Sequence, residues 1–142
     1  MSGAAPDHAV RILLMDNQRL FARALHARLE QDPRFEIVAL AEDGDDAVRL
    51  AEEEAPDVVL LDAEMPSGAV ISATRVISSG ERPPSVLIVA GADDLFDPAE
   101  AHAAGATAFL RRPRSAADLL DTLELATVLI GATVAEDERG VS

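Results

Sequence analysis

The sequence predicts an α/β domain, with a five-stranded parallel sheet covered by helices on both faces. Three observations predict it. Short apolar runs alternate with helical patterns five times along the 142 residues. The runs are continuously apolar, as in strands buried on both faces, and do not alternate with polar residues. Hydrophobic residues make up 49% but aromatics only 3%, so an aliphatic core of Val, Leu, Ile and Ala must fill the interior.

The elements follow in order. Residues 1–9 are small and polar and form a leader. Val10–Met15 is the first strand and runs into Asp16. Residues 19–31 space Leu20, Ala24, Leu25 and Leu29 for one helix face. Phe35–Ala41 is the second strand. Asp43-Gly44 marks a turn, and a helix follows to Ala55, stopped by Pro56-Asp57. Val58–Leu61 is the third strand and ends at Asp62. Met65–Gly68 reads as a loop. Residues 69–79 read as a helix, weak by propensity because of their Val, Ile, Ser and Thr.

Pro83-Pro84 leads into a fourth strand, Val86–Val89. Asp97-Pro98 is an N-cap followed by Pro at the first helical position, and Gly105 closes that helix. Thr107–Leu110 is the fifth strand. Ser115 with Asp118 resembles a capping box opening a helix to about Gly131. One domain therefore spans 10–131, and the acidic residues 132–142 are a tail or the start of a linker.

Composition narrows the function. There are 26 acidic and 12 basic residues, a net charge of −14, and every basic residue is Arg. Such a domain repels phosphate backbones, so it is a poor nucleic-acid binder by itself. Cysteine is absent, which excludes disulfides and thiolate sites. His8, His26 and His102 are scattered and form no ligand cluster. No apolar stretch reaches membrane-spanning length and no signal peptide is evident, so no membrane association and a cytoplasmic location are expected.

In open parallel sheets the functional crevice lies beyond the carboxyl ends of the strands. That rule selects Asp16-Asn17, Asp62, Ala90-Gly91 and Arg111-Arg112, just before Pro113. Glu42, after the second strand, lies farther off. If the first and third strands are neighbours, Asp16 and Asp62 approach each other. Paired carboxylates call for a cation, commonly Mg2+, and Arg112 offers a second positive charge that can fork onto carboxylate or phosphate. A lone Asp after a strand is more often turn chemistry. Three such groups under one topological rule favour a site.

At these residues the chain resembles the CheY-like receiver domain of two-component response regulators. The resemblance rests on Ile12-Leu-Leu-Met-Asp16-Asn17, on Ala55-Pro-Asp-Val-Val-Leu-Leu-Asp62-Ala-Glu-Met65-Pro66, on Gly105-Ala106 and on Phe109-Leu-Arg-Arg112-Pro113. It implies a flavodoxin-like, doubly wound sheet in the order 2-1-3-4-5. It implies that Asp62 is the phosphoacceptor, that Asp16, Asn17, Asp62 and the Glu64 backbone carbonyl surround Mg2+, and that Arg112, Ala90 and Gly91 line the phosphate pocket. Phe109 and Ala90 match the family's switch pair, and Arg112-Pro113 matches a peptide bond that is typically cis. A sensor histidine kinase would be the phosphodonor. A homodimer would form through the fourth helix, fifth strand and fifth helix, about Asp97 to Gly131.

Four departures mark this pocket. Asn17 stands where the family usually has a second acidic residue, which weakens or removes Mg2+ binding. Ala90 replaces a Thr or Ser whose hydroxyl holds a phosphoryl oxygen. Arg112 replaces a Lys, and no register shift can supply one because the chain has none. Val70 replaces a glycine usual in the loop before the third helix. The pocket's formal charge is −1, from Asp16, Asp62 and Arg112.

Three functions follow as alternatives. The chain is a receiver accepting phosphate on Asp62 and controlling transcription through an output domain beyond these residues. Or it is a phosphorylation-independent pseudo-receiver that dimerises or binds a partner or ligand. Or, least supported, it is an enzyme using Asp62 as nucleophile. The chain is not expected to be an enzyme, because no substrate pocket or general acid beyond Glu64 is evident.

Overall fold

The computed structural model describes residues 9–15, 23, 26–27, 30–33, 35–62, 67–90 and 97–111, with the backbone alone for Asp62, Ser67, Leu110 and Arg111. Its strands are β1 (Val10–Met15), β2 (Phe35–Ala41), β3 (Val58–Asp62), β4 (Ser85–Ala90) and β5 (Ala108–Arg111). All neighbours pair in parallel, in the order β2-β1-β3-β4-β5. This is the doubly wound order that the resemblance implies.

Helices occupy Gly44–Glu54, Ser67–Ser78 and Pro98–Ala103. Arg23, His26, Ala27 and Glu30 are also helical, within the stretch where the sequence predicts a helix. Caps explain two of the starts. Asp43 accepts from the Asp46 amide at 2.8 Å, and Asp97 accepts from the Ala99 amide at 2.9 Å with Pro98 next. Gly44 opens its helix in a tight place, since a Cβ there would lie 3.1 Å from the Ala69 carbonyl oxygen.

Two expectations are corrected. Ser67 and Gly68 belong to the helix, not to a loop, and Val70 is that helix's fourth residue, not a loop residue. Val70 is fully buried, with Ile71, Ala73 and Ile77 in the same core cluster, so packing overrides weak propensity. The buried Thr74 hydroxyl donates to the Val70 carbonyl at 2.8 Å, which satisfies it within the helix. The fifth strand starts at Ala108 rather than Thr107. Thr107 instead brackets β4: its amide donates to the Val86 carbonyl at 2.7 Å and its hydroxyl accepts from the Val86 amide at 3.2 Å.

The core lies on both sides of the sheet. Leu13, Met15, Val59, Leu61, Val86, Ile88 and Ala90 join Ala47, Val70, Ile77 and Ala101 from the three helices. At the alternate strand positions Ile12, Leu14, Leu60 and Leu87 are buried as deeply. Burying each such Leu or Ile contributes about 1.5–3 kcal/mol. Among the described residues no helix is long and apolar enough to cross a membrane.

At the amino ends of the strands, Asp57 joins three of them. Its carboxylate accepts from the Arg11 amide at 2.8 Å, its amide donates to the Arg11 carbonyl at 2.8 Å, and its carbonyl accepts from the Ser85 amide at 3.0 Å. The Arg11 guanidinium donates to the carbonyls of Glu54 and Ala55 and pairs with the Glu54 carboxylate.

Candidate functional site

The strand register assembles the carboxyl edge row by row. Met15 lies beside Leu61, Leu61 beside Ile88, and Ile88 beside Phe109. One residue on, Asp62 lies beside Val89, which lies beside Leu110. One further, Ala90 lies beside Arg111. Asp62 therefore ends the central strand, and Ala90 and Arg111 end its neighbours on one side. Asp16 and Arg112 directly follow Met15 and Arg111 in sequence. Asp16, Asn17, Glu64, Gly91, Arg112 and the Arg112-Pro113 peptide lie outside the described residues, as do residues 1–8 of the leader, the last helix and the tail.

Ala90 is fully buried and belongs to the apolar cluster on the helix-covered face. Phe109 is half-buried and packs against the same cluster. A Thr or Ser in place of Ala90 would bring a hydroxyl into this apolar setting; Ala90 brings none.

The sequence passed over a second group of carboxylates at this edge. Ala41 lies beside Met15, so β2 also ends here and delivers Glu42, Asp43 and Asp46. Their bonds are structural. Asp43 caps its helix, while the Asp46 carboxylate accepts from the Glu42 amide at 3.1 Å and pairs with Arg49. The Glu42 amide bond, then Arg49, hold the Asp46 carboxyl below the usual aspartate range. Arg49 is held above its ordinary value by Asp46 and then Glu53. The clue in the sequence is Asp43-x-x-Asp46 at the start of a helix, a near relative of the capping box. Among the described residues no group of three or more His, Cys, Asp or Glu could hold a metal.

A family model, the response regulator receiver domain, matches residues 12–124. The chain belongs to the response regulator receiver family. The receiver is 38% identical over 117 residues to the transcriptional regulatory protein PdtaR of Mycobacterium tuberculosis, covering 82% of this chain and 56% of that protein. It is 30% identical over 125 residues to the transcriptional regulatory protein DegU of Brevibacillus brevis, covering 88% of this chain and 53% of that protein. It is similar in structure to the response regulator domain of Thermotoga maritima CheB, with a TM-score of 0.76 and 26% identity over 88% of this chain and 96% of that one. The receiver thus spans just over half the length of these two relatives, PdtaR and DegU.

Proposed function

We propose that this receiver is the input module of a two-component transcriptional regulator, that Asp62 is its phosphoacceptor, and that its pocket switches weakly. The observation that carries this is the placing of Asp62 at the carboxyl end of the central strand, where a parallel sheet opens its crevice. The regulatory role is supported by the matched transcriptional regulators, and the output domain would lie beyond these residues. The module acts in the cytoplasm and takes phosphate from a sensor histidine kinase. It is not itself an enzyme. It dimerises through the surface from Asp97 onward.

The chemistry is a phosphoryl transfer. An Asp62 carboxylate oxygen attacks the phosphorus of a phosphohistidine, the N–P bond breaks, and the imidazole leaves with the bond electrons. Asp16, Asn17, Asp62 and the Glu64 carbonyl are an all-oxygen donor set of the kind that suits Mg2+. When bound, Mg2+ would offset charge on the phosphoryl oxygens. Asn17 contributes a neutral donor, so affinity for the ion is lowered. Arg112 forks onto phosphate or, without it, onto Asp62.

A second reading has its own support. Ala90 provides no hydroxyl to draw towards a phosphoryl group, and Phe109 already packs on the cluster that holds Ala90. On this reading the domain is a phosphorylation-independent dimerisation, partner-binding or ligand-binding module. Incubation with acetyl phosphate and Mg2+, followed by intact-mass analysis, separates the two. Slow, partial, Mg2+-dependent labelling lost in Asp62→Asn supports the first reading. No labelling, together with no change on adding beryllofluoride, overturns it in favour of the second. Rapid stoichiometric labelling with a clear change in oligomeric state would overturn the weak-switch element.

A further inference from the structure

Away from the Asp62 edge, the helices Gly44–Glu54 and Ser67–Ser78 enclose an open groove of about 340 Å³. Val48, Ala51, Val76 and Ile77 give it an apolar lining. Pro83-Pro84 adds a stiff stretch to the lining that carries no amide donors. Val76 is 51% exposed, and among the described residues only Leu40 is a comparably exposed large hydrophobic. Glu52, Glu81 and a single Arg82 also line it, and among the described residues none of the three makes an ion pair.

The charge identifies the occupant. The net charge of −14 sets a negative field over the chain, a second copy would bring the same Glu52 and Glu81 to this groove, and the proposed dimer uses the surface from Asp97 onward instead. A basic segment gains from that field and can pair with Glu52 and Glu81, while an aliphatic side chain covers Val76. The groove abuts Ser85, the first residue of β4, whereas Ala90 ends that strand about 17 Å away at ~3.3 Å per residue. Occupying it leaves the Asp62 edge open.

We infer that this groove docks a basic, aliphatic-bearing segment of a partner protein, independently of phosphorylation. The test titrates the 142-residue chain with three fluorescein-labelled peptides of equal length: Leu/Lys amphipathic, Leu/Glu amphipathic, and Ser/Lys of matched charge. Anisotropy should show the Leu/Lys peptide binding and the other two at least tenfold weaker. Val76→Glu, at an exposed helix position that tolerates Glu, should weaken Leu/Lys binding at least tenfold even though it adds negative charge. Glu52→Arg with Glu81→Arg should weaken it similarly, and circular dichroism checks that each variant keeps the helix content of the parent. Binding unchanged or tightened by Val76→Glu means non-specific charge attraction and overturns the inference. So do equal binding of the Leu/Glu peptide, no binding of any peptide, and a dimer in sedimentation that Val76→Glu dissociates.

Discussion

Gly105 and Ser78 are packed so closely that a Cβ built on Gly105 would lie 2.6 Å from both Cβ and Oγ of Ser78. The Ser78 hydroxyl donates to the Gly105 carbonyl at 3.3 Å, and Gly105 has φ +115°. The end of one helix is thereby seated on the turn that starts β5. Gly105→Ala combines a clash with a backbone conformation that Ala resists, and should cost about 2–4 kcal/mol in urea denaturation. Ser78→Gly in the same chain should recover the steric part and leave the backbone part. Full recovery would mean that φ contributes nothing.

Asp57 should matter more than its place in a turn suggests. Asp57→Ala leaves the partly buried Arg11 amide without its acceptor and should lose about 1–2 kcal/mol. Asp57→Asn keeps an acceptor oxygen and should lose less than half of that. Equal losses in chemical denaturation would show that the charge, rather than the hydrogen bond, is what counts.

Ala90 links stability to signalling. Ala90→Thr forces two heavy atoms into a fully buried place in the cluster that Phe109 packs against and should cost about 1–3 kcal/mol. Combined with Asn17→Asp and Arg112→Lys, it should raise the rate of Asp62 labelling by acetyl phosphate at least tenfold. An unchanged rate, read by mass spectrometry, would show that these three positions do not limit the labelling of Asp62.

The Asp46 carboxyl is held low, so its charged form is favoured in the folded state. The stabilisation it gives is present above the ordinary aspartate value, and it fades as pH falls through the folded-state value. Carboxyl NMR titration should therefore find Asp46 still ionised where exposed aspartates have protonated. Arg49→Ala should raise the midpoint only partway, because the Glu42 amide remains. A midpoint returned fully to the ordinary value would assign the whole effect to Arg49.

Strands were the most legible part of the sequence. Val10–Met15 and Phe35–Ala41 are found to the residue, because continuous apolar runs between turn signals have one reading in a parallel sheet. The helix Ser67–Ser78 was harder, since its β-branched residues disfavour a helix locally and only packing of Val70 and Ile77 on the sheet decides it. Within the site, the position of Asp62 followed from strand order. The packing of Phe109 against the cluster with Ala90 did not, because it depends on contacts across β4 and β5. Asp43 was legible as a turn residue, but the bonds from the Asp46 amide to the Asp43 carboxylate and from the Glu42 amide to the Asp46 carboxylate appear only in three dimensions.

The knot of bonds around Asp57 has an evolutionary consequence. It fastens β1, β3 and β4 at their amino ends, five residues back along β3 from Asp62. The sheet resembles a fan gripped at the handle. Substitutions at the open tip leave the grip untouched, so a receiver can exchange the chemistry of its crevice while its scaffold stays whole.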